Sequence, residues 1–287
     1  MDQDKLFGNL FLGVGAMKAG TTWLYSVLDQ HPNLHFTPEK EIHYFYHRYV
    51  DSNLLNERKR LHMARERYLL RFDPDHANID RIRMNLHWVA AYLSHPVDDF
   101  WYRSLFQTRA HHAYACDFSN LNAHLPVAAW RQIARQCTTL RVLFTMRDPL
   151  KRLWSHTKFH LQITGQADNL IKWGPRDYTD FVRQPFIWQN AEYGRVLRTL
   201  RAGLDRETWR ATFYETLHED QITALREIES FLALPPHSYQ KKILDRHPTQ
   251  SVTHPMPPFF AEIFEKDITR IKSEICAEGF DLPPQWG

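Results

Sequence analysis

Cysteine is scarce: Cys116, Cys137 and Cys276 are the only three in 287 residues. An odd count without C-x-x-C spacing excludes a disulfide framework and a zinc ribbon, so the thiols read as core residues and a reducing, cytoplasmic location is expected. No apolar run approaches the ~20 residues of a membrane span. The opening MDQDKLFGNLFLG carries early acids and a short apolar run, unlike a secretory leader. Neither sign of charge dominates, with 36 basic against 33 acidic residues and a formal net charge of +3. The basic residues are scattered, which argues against a nucleic-acid partner and suits a small anionic ligand. There is no internal repeat, low-complexity tract or linker, so residues 1–287 are expected to form a single domain.

What is present is a chain 43% hydrophobic, long enough to bury a large core. NLFLGVGAM is a short apolar run ending in glycines, which reads as a buried parallel strand. TTWLYSVLDQHP follows with Leu24, Val27 and Leu28 at helical spacing, Thr21 or Thr22 as its cap and Pro32 as its stop. A second unit is LRVLFTMRDPLKRLWSHTKFHL, a strand over 140–146 and a helix entered at Pro149. A third is the strand TWRATFYETL with the amphipathic helix HEDQITALREIESFLAL. Three strand–helix units predict an α/β fold, a P-loop-like central parallel sheet flanked by helices, with ligands at the carboxyl ends of the strands. Residues 51–110 read as polar and helical, with DDFWYRSLF as an aromatic cluster that packs a core or lines an acceptor site. A final helix is expected from Phe260 to about Glu278.

The first turn spells G-x-x-x-x-G-T-T from Gly15, close to the phosphate loop G-x-x-x-x-G-K-[ST]. Its lysine stands inside the turn, at Lys18. Backbone N–H groups at a helix start, the dipole, the Thr21 and Thr22 hydroxyls and the Lys18 charge together suit a phosphate or another oxyanion. The Lys-Thr adjacency that holds magnesium is missing, and RVLFTMRDP offers Arg147 where a metal-binding strand-end acid would stand. A metal-free oxyanion reaction is therefore favoured. Arg147 follows a strand and Ser155 lies two helical turns on, a pair suited to a second phosphate; an ion pair of Arg147 with Asp148 or another acid is the plain alternative.

KAGTTWL, HP, KEIHYF and RDPLKRLWSH, in this order, resemble the sulfotransferases that use 3′-phosphoadenosine 5′-phosphosulfate (PAPS), most of all the carbohydrate and bacterial branch. The resemblance implies that Lys18, Ala19, Gly20, Thr21 and Thr22 hold the 5′-phosphosulfate, that Arg147 and Ser155 hold the 3′-phosphate, and that Trp23 lies near the adenine. It places Lys18 at the bridging oxygen of the breaking bond and makes Glu41 the base, with His43 as helper or alternative base. The acceptor is a carbohydrate or a small alcohol or phenol. The period of two in an extended PEKEIHYF puts Glu39, Glu41 and His43 on one face and Lys40, Ile42 and Tyr44 on the other. Plainly read, Glu41 is a surface carboxylate paired with Lys40 or an arginine.

Two departures bear on the site. Where relatives carry Ser/Thr-Pro-x-Tyr, CDFSNLN keeps Asp117 and Ser119 but has Asn120 for proline. The basic, glycine-containing loop that closes over the cofactor has its counterpart in DRHPTQSVTHP, which offers Arg246 and no glycine. Competing readings are a kinase or nucleotide triphosphatase with a degenerate loop, a non-catalytic nucleotide-binding protein, and a metal hydrolase on His156 and His160, the last without a zinc signature.

Overall fold

Phe7–Gly13 forms the first strand, β1, and three of its residues explain its place: Leu10, Phe11 and Leu12 are all buried, so both faces are covered. A strand apolar on both faces belongs at the centre of a parallel sheet. The computed structural model, which describes residues 5–70, 75, 78–246 and 254–287, puts it there. The remaining strands are β2 (Leu34–Phe36), β3 (Tyr114–Asp117), β4 (Cys137–Met146) and β5 (Trp209–Phe213), in the order β2-β3-β1-β4-β5 and all parallel. The register sets Leu10 beside Ala115 on one side and Leu140 on the other, and Met146 beside Phe213. This is a single α/β domain with a five-stranded parallel sheet.

Alternation along the strands divides the core in two. Leu10, Leu12, Val142 and Phe144 pack on one face with the helices Val127–Gln136, Pro149–Ile163, Tyr193–Gly203 and Pro258–Ala277. Phe11, Leu143 and Cys116 pack on the other with α1 (Thr21–Leu28) and the helix Gln221–Phe231. Of the aromatic cluster of residues 100–106, Trp101, Tyr102 and Phe106 are buried core, Tyr102 stacking on Tyr44 with ring centres 4.7 Å apart, while Phe100 is exposed.

Several expectations change in detail. The third unit's strand stops at Phe213, and Tyr214–Glu219 is already helical. β2 and β3, of three and four residues, carry too little pattern to be read from sequence. Neither Thr21 nor Thr22 caps α1. The cap is Gly20, left-handed at φ 81°, and Thr21 is the first helical residue. A Cβ on Gly20 would stand 2.6 Å from the Tyr214 ring, so both backbone and space require glycine there. Most of the proline-rich segment after Arg246, residues 247–253, lies outside the described residues.

Candidate functional site

The loops after β1, β4 and β5 converge at the carboxyl edge of the sheet. The first stays tied to β4 beyond the strands, Val14 N–H donating to the Leu143 carbonyl at 2.9 Å and Ala16 N–H to that of Thr145 at 2.7 Å. Gly15 (φ 112°), Lys18 (φ 68°) and Gly20 then turn the chain sharply into α1. The first N–H groups of α1 have no partner within the helix, which leaves them for a ligand. Over this turn lies a cavity of about 540 Å³, a size suited to a cofactor or substrate. Among the described residues, Lys18, Arg67, Arg147, Lys151, Lys158 and Arg246 supply basic walls against the single carboxylate of Glu41.

Asp148 explains how Arg147 comes to face the cavity. Its carboxylate accepts from Lys151 N–H at 2.8 Å, capping the helix that begins at Pro149, and so is engaged away from Arg147. Tyr193 Oη donates to the Arg147 carbonyl at 2.9 Å and fixes its backbone. The guanidinium lies 4.7 Å from the Tyr214 ring centre and donates through Nη1 to the Lys18 carbonyl at 3.0 Å. Its Nε is buried without a hydrogen-bond partner among the described residues. Leaving a buried donor of a charged group unpaired carries a cost.

Lys18 Nζ sits 4.3 Å from the Phe159 ring centre. Burial first, and then the charges of Arg147, Lys158 and Lys40, lower its pKa to about 8. Burial and Arg147 lower that of Lys158 as well. Crowded cations that depress one another's protonation mark a place where an anion binds favourably.

The alternation expected in PEKEIHYF is not what the chain adopts. Thr37 Oγ1 donates to the Glu39 carbonyl at 2.6 Å, and His43 is left-handed at φ 60°. The segment is an irregular turn rather than a strand, and Lys40 and Glu41 meet instead of pointing apart. Lys40 Nζ donates to Glu41 Oε1 at 2.9 Å and to Thr21 Oγ1 at 3.2 Å. Glu39 turns away, buried, and pairs with Arg67. His43 Nε2 lies 3.2 Å from Glu41 Oε2, and Asn120 Nδ2 donates to Oε1 at 3.3 Å. Burial works to raise the Glu41 pKa, but Lys40 and His43 outweigh it and hold the carboxyl down at about 2.

Lys18, Gly20, Thr21, Thr22, Trp23, Glu41, Arg147, Ser155 and Arg246 all line the one cavity. Ala19 is buried behind it, and His43 reaches it through Glu41. The Trp23 indole donates to the Leu244 carbonyl at 2.9 Å and lies 4.5 Å from the His218 ring. Residues 100–106 are not among the walls. Lys151, Lys158 and Phe159 were not anticipated, although spacings of four, three and four residues from Ser155 put them on its helix face. Arg67 and Tyr214 carry no such signal. Arg67 and Arg246 also line an adjoining cleft of about 1330 Å³. His156, offered to a metal by its spacing, instead has Nδ1 3.2 Å from Arg152 Nη1.

Residues 11–238 match the profile described as the sulfotransferase family. The chain belongs to the sulfotransferase family. No curated protein matches this sulfotransferase significantly. Among solved structures, a sulfotransferase from Alicyclobacillus acidocaldarius superposes with a TM-score of 0.60 at 18% identity, over 96% of this chain and 97% of that one. The sulfotransferase domain of the Synechococcus PCC 7002 olefin synthase gives 0.52 at 17% identity, over 99% and 98% of the two chains. A sulfotransferase domain from the curacin biosynthetic pathway gives 0.52 at 14%, over 97% and 100%. At these identities the likeness is one of fold. The enzyme is thus a transferase. None of its helices among the described residues is long and apolar enough to cross a membrane.

Proposed function

We propose that this sulfotransferase takes its sulfuryl group from PAPS and transfers it to a hydroxyl of a carbohydrate or a small alcohol or phenol. The observation that carries the reading is the meeting of Lys18, Arg147, Lys158 and the start of α1 at one cavity. PAPS supplies a sulfuryl group activated as a mixed anhydride with phosphate. The turn Lys18–Thr22 would hold the phosphosulfate, Arg147 and Ser155 the 3′-phosphate, and Trp23 the base, with Arg246 at the rim.

Lys18 would place positive charge at the oxygen on which negative charge accumulates as the bond to sulfur breaks. That interaction strengthens towards the transition state and so accelerates the step. Glu41 would take the acceptor proton, with His43 orienting it or serving in its place. Acceptors would enter along the adjoining cleft at Arg67. The three free thiols, Cys116, Cys137 and Cys276, fit a cytoplasmic enzyme.

Calorimetry tests the donor. 3′-Phosphoadenosine 5′-phosphate (PAP) should bind at least tenfold more tightly than AMP or ATP, without magnesium; equal affinities would end the reading. A preference for ATP with magnesium would instead favour a phosphoryl-transfer enzyme, the alternative that the missing Lys-Thr pair opposes. Incubation with PAPS and acceptor libraries should then yield products heavier by one sulfuryl group. A PAP-binding protein without such products would be a non-catalytic one.

A further inference from the structure

The Lys40 ammonium stands between two groups of different function. It donates at once to Thr21 Oγ1, at the start of α1, and to Glu41 Oε1, the carboxylate that lines the cavity. Lys40 is only slightly exposed, with 13% of its side chain open to solvent, so its charge is not dispersed in water. One ammonium therefore has two negative claimants, the Glu41 carboxylate and whatever anion is held at Thr21.

We propose that Lys40 is a positioning residue that couples donor binding to the readiness of Glu41: an anion at Thr21 draws the ammonium towards itself and releases the carboxylate to act on the acceptor. The inference rests on the PAPS reading above. A carboxylate held by both Lys40 and His43 is a poor proton acceptor, and its pKa of about 2 reflects that. A base works best when its pKa approaches the working pH. Losing Lys40 to the donor raises the basicity of Glu41 only after the donor is in place, so acceptor deprotonation waits for a sulfuryl group to receive the oxygen.

The other charges around Glu41 do not supply this coupling. His43 belongs to the same turn and contacts the other carboxylate oxygen. Arg67, on the turn Arg65–Leu69, is engaged by buried Glu39. Asp117 at the end of β3 is buried and accepts from Ser119 Oγ at 2.5 Å and Tyr102 Oη at 3.1 Å. Asn120 and Thr21 are neutral. Lys40 alone among these touches both the turn and the carboxylate.

The test is a carboxyl-carbon NMR titration of protein labelled in glutamate, with Glu41 assigned through Glu41→Gln, alone and saturated with PAP. In the wild type PAP should raise the Glu41 midpoint by about one unit or more. Lys40→Met should start from a higher midpoint without PAP and move less than half as far with it. Lys40→Gln, which keeps a hydrogen-bond donor without the charge, should behave as Lys40→Met and stands in if that variant does not fold. PAP that binds by calorimetry yet leaves the wild-type midpoint unmoved overturns the coupling. So does a full wild-type rise in Lys40→Met, which would assign the effect to the ligand's own charge. Failure of PAP to bind the wild type removes the donor reading and this inference together.

Discussion

Arg147 donates through Nη1 to the carbonyl of Lys18 at 3.0 Å, so the residue after β4 fastens the turn after β1. Arg147 also lines the cavity, while its Nε is buried without a hydrogen-bond partner among the described residues. Arg147 therefore both shapes the turn and forms part of the cavity wall.

Replacing Arg147 by Ala should weaken PAP binding about ten- to a hundredfold, the range for a hydrogen bond to a charged group. Ser155→Ala should cost less. If these residues meet the 3′-phosphate, AMP binding changes little in Ser155→Ala. Parallel calorimetric titrations with PAP and AMP check this, and equal losses for both ligands would count against the assignment.

Lys18 carries a pH signature. Its pKa of about 8 lies below the ordinary 10.5, so its charge is present below pH 8 and lost as pH rises through that value. kcat/KM for the donor should fall on the alkaline side near pH 8. In Lys18→Arg that limb should flatten, because guanidinium stays charged. Lys18→Ala should lower turnover at least about a hundredfold. For stability the sign is opposite: between about pH 8 and 10.5 the unfolded chain binds the proton that the folded chain has shed, so this residue's contribution rises with pH there.

Glu41→Gln should reduce turnover about a hundredfold or more while leaving PAP affinity within a few-fold of wild type. Single-turnover rates and calorimetry on the same preparation separate the two effects. Loss of PAP binding would reassign Glu41 to the donor site.

Gly20→Ala should destabilise the fold by about 2–5 kcal/mol, adding left-handed strain to a clash with Tyr214. Gly165 provides the control. Its φ is 69°, but a Cβ there meets nothing within 4 Å, so Gly165→Ala should cost only about 1–2 kcal/mol. Urea unfolding midpoints distinguish them.

The parts legible in sequence were those with strong local punctuation. β1 and β4 are apolar runs closed by a glycine turn and an Arg-Asp-Pro, whereas β5 (WRATF) mixes apolar and polar residues and its end at Phe213 was not legible; the cavity forms where the three end. Asp148 and Pro149 mark a helix entrance in any context. By contrast, the geometry around Glu41 depends on a turn in which Thr37 bonds the Glu39 backbone and His43 turns left-handed. Alternation is a rule for extended chain, and it placed Lys40 away from Glu41 because the turn was invisible. Thr21 looked like a cap because threonine prefers that position. Gly20 took it instead, since the chain must reverse beneath the Tyr214 ring. Arg67 reaches the cavity only through tertiary packing against Glu39, which no local spacing encodes.

The Trp23 indole bonds the Leu244 carbonyl across 221 positions of sequence, and Met17 and Met256 border the same cavity. The cavity is therefore a seam where early and late parts of the polypeptide are stitched together, and a molecule lodged in it would act as a clasp. PAP at a hundred times its dissociation constant should add about 2.7 kcal/mol to global stability, visible as a higher melting temperature.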